Sequence, residues 1–242
     1  MVDIHCHILP GIDDGPESWT TTAAMCRIAA ADGITHIVAT PHCDYRFDYH
    51  REHFTDMLAT LSDVADGKLT FSIGCDFHMS PGNVEDAMVD PRRFAIGDTQ
   101  YMMVEFDHNG IPPNAGGQLL ALVSRGMVPI ITHPERNAYL MKKPEAVLRF
   151  VNAGCLVQVT ANAFTGSWGP KSQKAAERLL KKNAVHIVAT DAHDVKMRPP
   201  VLSEARQRIA SLAGAEIAEA LVTNNPSAVV MGQSLAPWPA RR

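Results

Sequence analysis

Seven apolar stretches typical of β-strands recur along the chain, and each is followed by a helical stretch or a long loop. They cover residues 2–7, 35–40, 70–76, 101–106, 128–133, 156–160 and 186–190. Helical patterns lie at 16–33, 52–65, 115–125, 144–153 and 171–183. This regular alternation predicts a parallel α/β fold, which could be a barrel or a doubly wound sheet.

The polar residues decide between these two architectures. Almost every predicted strand is apolar until its end, where it delivers an imidazole or a carboxylate. These residues are His5, His7, His42, Asp76, Glu105, His133, Asp191 and His193. In a barrel the ends of all parallel strands meet on one rim, whereas an open sheet spreads them along a crevice. We therefore predict an α/β fold of the distorted parallel (β/α)7 barrel type, irregular because it has seven strands instead of eight.

The first strand carries the densest set of these groups. Its polar residues Asp3, His5 and His7 alternate with apolar ones, so a strand would direct both imidazoles to one face. Two aspartates, Asp13 and Asp14, follow in the next loop. A lone strand histidine is commonly structural, but many imidazoles and carboxylates on one rim repel each other unless cations lie between them. Imidazole and carboxylate are the usual ligands of catalytic divalent metals, so several metal ions are predicted.

The other histidines have no such pattern. The pentapeptide His-Ile-Val-Ala-Thr occurs at both 36–40 and 186–190, and each copy runs into a ligand-type residue, but five residues are too few to claim an internal repeat. His36 and His186 begin strands and His53 lies on a helix, and we interpret all three as surface residues. The sequence leaves open the roles of three more, His50, His78 and His108.

Composition limits the class of protein. A chain of 242 residues with 46% hydrophobic content suits one domain, 1–242, with a flexible tail from about residue 233. The net charge of -4 and the scattered basic residues argue against a nucleic-acid partner. The chain has five cysteines without CxxC spacing and neither a basic leader nor a membrane-span pattern, which favours a reducing cytoplasm.

Two arginines follow the ligand-type residues closely. Arg136 lies three residues beyond His133, and Arg198 lies just past His193. A guanidinium there could bind two phosphoryl oxygens, although salt bridges to Glu135 and Asp194 are the simpler alternatives. A carboxylate-rich metal site is suited to hydrolysis of phosphate esters. A cysteine-nucleophile phosphatase is excluded, because no cysteine has an arginine six residues later.

Six motifs together carry a family resemblance. They are Asp-Ile-His-Cys-His, Asp-Asp-Gly, Ala-Thr-Pro-His, Val-Glu-Phe, Thr-His-Pro-Glu-Arg and Thr-Asp-Ala-His, beginning at residues 3, 13, 39, 104, 132 and 190. The chain resembles the polymerase-and-histidinol-phosphatase (PHP) superfamily over about residues 1–230. Within it, the chain is similar to the manganese-dependent bacterial protein-tyrosine phosphatases of capsule and exopolysaccharide loci, the CpsB/CapC type.

The resemblance implies three divalent metal ions, expected to be Mn²⁺, with iron or zinc as alternatives. The implied ligand sets are His5, His7 and Asp191; Glu105 and His133; and Asp14, His42 and His193. Asp76 would bridge the first two metals, and Asp13 is the alternative to Asp14. Arg136 and Arg198 match the phosphate-contacting arginines of the family. One departure is Asp76, where the family pattern has a glutamate, one methylene longer.

The implied activity is hydrolysis of phosphotyrosine in a protein, expected to be the tail of a bacterial tyrosine kinase that governs capsule or exopolysaccharide synthesis. Tyr45, Phe47 and Tyr49 form an aromatic loop that could stack on the substrate ring or pack as a lid. Two other functions stay open. One is a small-molecule phosphomonoesterase such as histidinol-phosphate phosphatase, and the other is a non-catalytic metal-dependent regulatory module.

Overall fold

A computed structural model describes residues 1–236. Within them, all seven predicted strands are present, and two are each interrupted once. The strands are β1 Val2–Cys6, β2 His36–Ala39, β3 His42–Cys43, β4 Thr70–Ile73, β5 Asp76–His78, β6 Tyr101–Glu105, β7 Val128–Thr132, β8 Leu156–Thr160 and β9 Ile187–Ala189. β2 and β3 together form the second predicted strand and its extension to His42, and β4 and β5 form the third.

Ten α-helices surround these strands in the described part of the chain. They are α1 Trp19–Asp32, α2 Arg51–Val64, α3 Pro81–Val89, α4 Ala115–Ser124, α5 Pro144–Asn152, α6 Ala161–Thr165, α7 Gly169–Lys181, α8 Ser203–Ala213, α9 Ala215–Glu219 and α10 Asn225–Val230. The five predicted helices correspond to α1, α2, α4, α5 and α7. None of the helices within residues 1–236 has both the length and the apolar character needed to cross a membrane.

All the strand pairs are parallel, which confirms the predicted α/β class. The hydrogen-bonded orders are β1-β2-β4 and β3-β5-β6-β7-β8-β9. The two ends of this arrangement meet at β1, because Asp191 N–H donates to the carbonyl of His5 and His7 N–H donates to that of Ala192, both at 2.8 Å. Between β4 and β6, the turn at Gly97 donates its N–H to Ile73 at 2.8 Å. The fold is therefore barrel-like and irregular.

Alternate residues of the strands fill the interior. Val38, Met103, Ile130 and Ile187 form one apolar cluster with residues of β1, and Val229 of α10 closes it from below. A larger cluster lies between the strands and the helices. Burying each such side chain contributes roughly 1.5–3 kcal/mol. Because the interior is packed, a ligand can reach the polar residues only at the C-terminal ends of the strands.

The strict alternation expected for β1 is broken. Val2 and Ile4 pack in the inner cluster, whereas Cys6 packs in the outer one, and the pairing of β1 with β2 shifts between Asp3 and Cys6. The imidazoles of His5 and His7 still contact each other, whereas the carboxylate of Asp3 is bonded to the backbone N–H of His5, at 3.3 Å, and not to either ring. This buried carboxylate also accepts the backbone N–H of Thr190 at 3.0 Å and the hydroxyl of the same residue. Asp3 thus fastens β1 to β9.

The two copies of His-Ile-Val-Ala-Thr lie on opposite sides of β1. Thr190, at the end of the second copy, bonds Asp3, while Thr40, at the end of the first, accepts the N–H of Cys6 at 3.1 Å. The last threonine of each copy therefore contacts the strand that carries His5 and His7, one through the Asp3 carboxylate and the other through the backbone of Cys6.

The prediction that His36 and His186 are ordinary surface residues is wrong. His36 is half-buried and contacts the hydroxyls of Thr70 and Ser72 at 2.7 and 3.0 Å. His186 accepts the backbone N–H of Val157 at its Nδ1 atom, at 3.1 Å. Both imidazoles therefore connect neighbouring strands.

Four other histidines and the tail complete the comparison with the predictions. His53 is exposed, as expected. Of the three whose roles the sequence left open, His50 and His108 are exposed and His78 is half-buried. The tail was expected to be flexible from about residue 233. The carbonyl of Gln233 accepts the Tyr101 hydroxyl at 2.7 Å. The segment 237–242 lies outside the described residues.

His186 should make the stability of the protein depend on pH. Burial lowers its pKa from 6.5 to about 4. Between these two pH values the imidazole is protonated in the unfolded chain and neutral in the folded chain. Stability is therefore full above about pH 6.5 and falls as the pH drops toward 4. The loss is at most about 3 kcal/mol for a shift of this size. His186→Asn keeps an acceptor for Val157 and should reduce this loss, measured by urea unfolding with chelator at pH 7 and pH 4.

The matched control is His53→Asn, on the exposed face of α2. It should unfold with the same pH dependence as the wild type. If the free energy of unfolding of His186→Asn falls with pH as much as that of the wild type, His186 is not the source of the pH dependence.

Candidate metal centre

The structure gathers all nine predicted ligand residues at the C-terminal ends of the strands. Eight of them are buried, and the side chain of Asp14 is 45% exposed. His133 directly follows β7 and Asp191 lies two residues past the end of β9. Their φ angles of 29° and 54° fall in the left-handed region that non-glycine residues rarely adopt. This backbone conformation is strained, and such strain concentrates at functional sites.

His5, His7 and Asp191 form the innermost group. The Nε2 atoms of His5 and His7 are 3.3 Å apart and lie 3.2 and 3.5 Å from Oδ1 of Asp191. The opposite ring nitrogens are occupied, because Nδ1 of His5 meets Gln158 Oε1 at 3.1 Å and Nδ1 of His7 meets Asp13 Oδ2 at 2.7 Å. Since each Nδ1 donates its proton there, both Nε2 lone pairs face the same space. Such an arrangement suits a cation.

Glu105, His133 and Asp76 lie beside this group. Nε2 of His133 is 3.4 Å from Oε1 of Glu105. Oδ2 of Asp76 is 3.5 Å from Nε2 of His5 and 3.2 Å from Nδ1 of His42. Neither carboxylate oxygen of Asp76 has a hydrogen-bond partner among residues 1–236, although the side chain is fully buried. A buried carboxylate without donors is costly, so these oxygens fit a metal ion better than a protein contact.

Asp14, His42 and His193 form the outer group. Oδ1 of Asp14 lies 3.3 Å from Nε2 of His42 and 3.2 Å from Nε2 of His193. His193 uses Nδ1 for the carbonyl of Asp191 at 3.0 Å, so its Nε2 lone pair also points at the cluster. Asp13 faces away from this group. Besides His7, it accepts the backbone N–H of His42 at 3.0 Å.

Charge is unevenly distributed within the cluster. Burial alone would lower the pKa of His42, but Asp14 and Asp76 raise it to about 11. Burial, reinforced by Asp76, raises the pKa of Glu105 to about 8. Burial lowers the pKa of His193 to about 4. Some carboxylates are thus driven to hold protons and some imidazoles to lose them. Divalent cations would relieve this conflict, because they favour deprotonated ligands throughout.

Arg136 and Arg198 converge on a single carboxylate. Both guanidiniums donate to Oδ2 of Asp191, Arg198 at 2.6 Å. Burial alone would raise the pKa of Asp191, but His5 and these arginines hold it well below its usual range. The ring of Trp168 lies 4.2 Å from the guanidinium carbon of Arg136 and 5.6 Å from that of Arg198.

The simpler salt bridges considered for these arginines, to Glu135 and Asp194, are not formed within residues 1–236. Oε1 of Glu135 instead accepts the backbone N–H and the hydroxyl of Thr160, at 2.9 and 2.6 Å. Oδ1 of Asp194 accepts backbone N–H groups of its own turn, including that of Met197 at 2.6 Å.

Sequence reasoning missed three residues that position the site. Gln158 orients His5, Asp13 orients His7, and Trp168 covers the arginines. Gln158 had a signal, because it is a polar residue in the middle of the apolar strand β8. Asp13 was considered only as an alternative ligand. Trp168 had no signal in the sequence.

The metal centre opens into a cavity of about 220 Å³. Tyr45 lines its mouth and is 87% exposed. Phe47 stacks on the ring of His42, with a centroid separation of 6.1 Å and an interplanar angle of 12°. Tyr49 is buried and donates its hydroxyl to the carbonyl of Gly74 at 3.0 Å. Of the three loop aromatics, Tyr45 is therefore the one that lines the cavity, while Phe47 is half-exposed against His42.

The fold and the cluster define a barrel-like parallel α/β protein with a candidate metal site at the C-terminal ends of its strands. Solved structures of low sequence identity share the fold. A lactonase from Listeria monocytogenes matches with TM-score 0.60 at 12% identity, covering 98% of this chain and 95% of that one. A histidinol phosphate phosphatase from Lactococcus lactis matches with TM-score 0.57 at 15% identity, covering 87% and 93%.

The chain belongs to the CpsB/CapC family of capsular polysaccharide synthesis, whose sequence profile matches residues 1–231. It is 30% identical to the tyrosine-protein phosphatase YwqE of Bacillus subtilis, over 100% of this chain and 97% of that protein. It is 27% identical to CpsB of Streptococcus pneumoniae, over 96% and 99%.

A crystal structure of these "unique metal-dependent tyrosine phosphatases" matches this chain with TM-score 0.91 at 30% identity, covering 100% of both chains. The family resemblance drawn from the sequence motifs is thereby confirmed.

Asp76 provides a test of the cluster. Its oxygens lie close to both His5 and His42 despite the short side chain, so charge should matter more than length. We expect Asp76→Glu to retain most of the bound metal and Asp76→Asn to lose most of it, measured by elemental analysis of protein purified without chelator. If the glutamate variant loses metal as completely as the asparagine variant, the position requires an aspartate and the argument fails.

Proposed function

We propose that this chain is a metal-dependent phosphatase that hydrolyses phosphotyrosine in proteins. The observation that carries the proposal is the position of Arg136 and Arg198, whose guanidiniums meet at the edge of the imidazole and carboxylate cluster. A phosphoryl group there would contact cations on its outer oxygens and the cluster on the other side. The family and the activities named for its relatives support the same function.

We infer three divalent metal ions, expected to be Mn²⁺, with iron or zinc as alternatives. His5, His7 and Asp191 would hold one; Glu105 and His133 a second; Asp14, His42 and His193 a third, and Asp76 would lie between the first two. The close approach of these ligand atoms, with both oxygens of Asp76 unpaired among residues 1–236, supports several ions in the cluster. The atoms that lie within 4.8 Å of one another also group Glu105 with His42 and Asp76, and His133 with His5 and Asp191. When bound, the metals would supply activated water and charge stabilisation for displacement at phosphorus.

Neighbouring residues of the chain fix the orientation of the imidazole and guanidinium groups in the absence of substrate. Asp13 and Gln158 fix the orientation of the two β1 imidazoles, so their Nε2 atoms need not reorient. Asp191 accepts hydrogen bonds from Arg136 and Arg198, and the ring of Trp168 lies against both guanidinium groups. Donors fixed in this way stabilise the charge that develops on the transferring phosphoryl group, and they cost little reorganisation.

The depth of the site favours phosphotyrosine over phosphoserine. The ligand residues are buried, with Glu105 the most exposed of the inner ones at 8%, so a phosphate must enter the cavity to reach them. An aryl arm spans this depth, and Tyr45 at the mouth can stack on its ring. A serine ester would instead force the peptide backbone into the cavity.

The partner we propose is a bacterial tyrosine kinase whose tail carries the phosphotyrosine, in capsule or exopolysaccharide synthesis. The description of the family supports the pathway. The five cysteines, all free and buried, support a location in the reducing cytoplasm.

Metal content and activity should rise together. Protein purified without chelator should contain two to three first-row divalent metals per chain, and chelation should abolish turnover of phosphotyrosine peptide until Mn²⁺ is restored. Histidinol phosphate, assayed in parallel, should be a poor substrate. One metal per chain in fully active protein would contradict the metal assignment, and preference for histidinol phosphate would favour a small-molecule phosphatase. Full metal content without turnover would indicate a regulatory module.

Removing Arg136 should impair catalysis without removing metal. Arg136→Ala should lower kcat/KM for phosphotyrosine peptide by roughly 10²-fold, the scale for losing one preorganised donor. Matched phosphoserine peptide should be a poor substrate for the wild type. The control is Arg125→Ala, an exposed residue at the end of α4, which should behave like the wild type. Equal rates on the two esters, or an Arg136→Ala variant as active as wild type, would rule out the proposal.

A further inference from the structure

A second cavity of about 360 Å³ adjoins the metal centre. It shares His108 and Arg136 with the first cavity, so the two are separated by little more than these side chains. Its remaining wall includes Trp168, Lys171 and the first turn of α7. The function proposed above accounts for Arg136 and Trp168 but assigns no role to this space.

The cavity is lined by basic groups. Lys171 is exposed, and no carboxylate among residues 1–236 lies within ion-pair distance of its amine. It sits in the first turn of α7, a helix of 13 residues whose N-cap, Trp168, supplies no side-chain hydrogen bond within the described chain. In this turn the N–H of Gly169 is already bonded to the carbonyl of Gly166 at 2.8 Å and Pro170 has no N–H, so the helix contributes chiefly the partial positive charge of its N-terminus, which favours a negative ligand.

A buried hydroxyl gives an independent indication of a ligand. Ser172 lines the cavity and is only 4% exposed, and its Oγ atom lacks a hydrogen-bond partner among residues 1–236. Buried hydroxyls are normally satisfied, so an unpaired one at a cavity wall is unusual. A carboxylate in the cavity could accept the proton of this hydroxyl once the Ser172 side chain rotates, because the Oγ atom is itself buried in this structure.

One negative group opposes this assignment and must be weighed. Glu135 is the only carboxylate among the residues that line the cavity, and it is fully buried beneath it. Its Oε1 atom is occupied by the two hydrogen bonds from Thr160. Arg136 is already paired with Asp191, so Lys171 and the N-terminus of α7 supply the positive charge at this wall. The cavity therefore presents an unpaired ammonium group and a helix N-terminus to a ligand.

We propose that this cavity binds an acidic side chain that lies close to the phosphotyrosine in the substrate sequence. The inference rests on the proposed phosphotyrosine phosphatase function and adds a sequence preference to it. Neighbouring residues of an extended peptide are about 3.3 Å apart along the chain. A carboxylate within three residues of the phosphotyrosine can therefore reach a cavity that shares Arg136 with the metal centre.

The test compares phosphotyrosine peptides that differ at one position only. Asp, Ala or Lys is placed in turn at each of the three positions on either side of the phosphotyrosine, and kcat/KM is measured with metal-loaded enzyme. At one or more positions the Asp peptide should exceed the Ala peptide by roughly 5- to 10-fold, the scale of an exposed ion pair combined with a helix terminus. This preference should shrink as the ionic strength rises.

Variants of residues in α7 test whether this cavity causes the preference for the Asp peptide over the Ala peptide. Lys171→Ala should reduce it to about 2-fold, since the helix terminus remains. Ser172→Ala should also weaken it. Lys174→Ala is the matched control, because Lys174 is an exposed lysine one turn further along α7 and does not line the cavity. The Lys174→Ala variant should prefer the Asp peptide over the Ala peptide by the same factor as the wild type.

Two further measurements separate the possible failures. Each variant is assayed on p-nitrophenyl phosphate, which has no flanking residues, and binding of non-hydrolysable phosphonate peptides is measured by calorimetry. Absence of turnover on every aryl phosphate would overturn the proposed function and this inference with it. Normal turnover with equal kcat/KM for Asp and Ala peptides at all positions would overturn this inference alone. A preference that survives in Lys171→Ala and Ser172→Ala would also overturn it.

Discussion

Asp191 is the residue on which the rest of the site depends. Its backbone N–H joins the end of the barrel to β1 through the carbonyl of His5, and its strained φ of 54° turns the side chain into the cluster. One carboxylate oxygen then faces the imidazoles of His5 and His7, while the other holds Arg136 and Arg198. One side chain thus connects the closure of the fold, the candidate metal ligands and the candidate phosphate ligands.

The ligand cluster and the two arginines form adjacent layers of opposite charge. The inner layer of imidazoles and carboxylates is buried and needs cations, and the arginines form a second layer toward the cavity. Because the net charge is -4, a phosphate dianion would not be attracted by the protein as a whole. Attraction must come from the guanidiniums, and Trp168 and Asp191 keep these in place.

The residues that orient the ligands are as important to this arrangement as the ligands themselves. Asp13 and Gln158 determine which nitrogen of each β1 imidazole faces the cluster. Without them, either nitrogen could carry the proton, and the lone pairs would no longer converge. The contacts of Asp3 and Thr40 on the two sides of β1 serve the same end at the level of the backbone, because they fix the strand that presents both imidazoles.

The sequence by itself determined the parallel α/β class, the seven strand positions and the family. Strand ends and helix patterns are local properties, and the motifs that carry His5, His7 and His133 are contiguous in the chain. These features follow from periodicity and residue type alone. The ordering of polar residues at strand ends was enough to predict that they meet.

Only the tertiary structure decided how those residues divide their tasks. Adjacent Asp13 and Asp14 point in different directions because the loop between β1 and α1 places them on either side of His42. Arg136 pairs with Asp191, 55 residues away, rather than with its neighbour Glu135, which turns toward Thr160. Trp168 reaches both arginines from the turn before α7. Such contacts depend on loop dihedral angles and side-chain directions, which residue type and spacing do not specify.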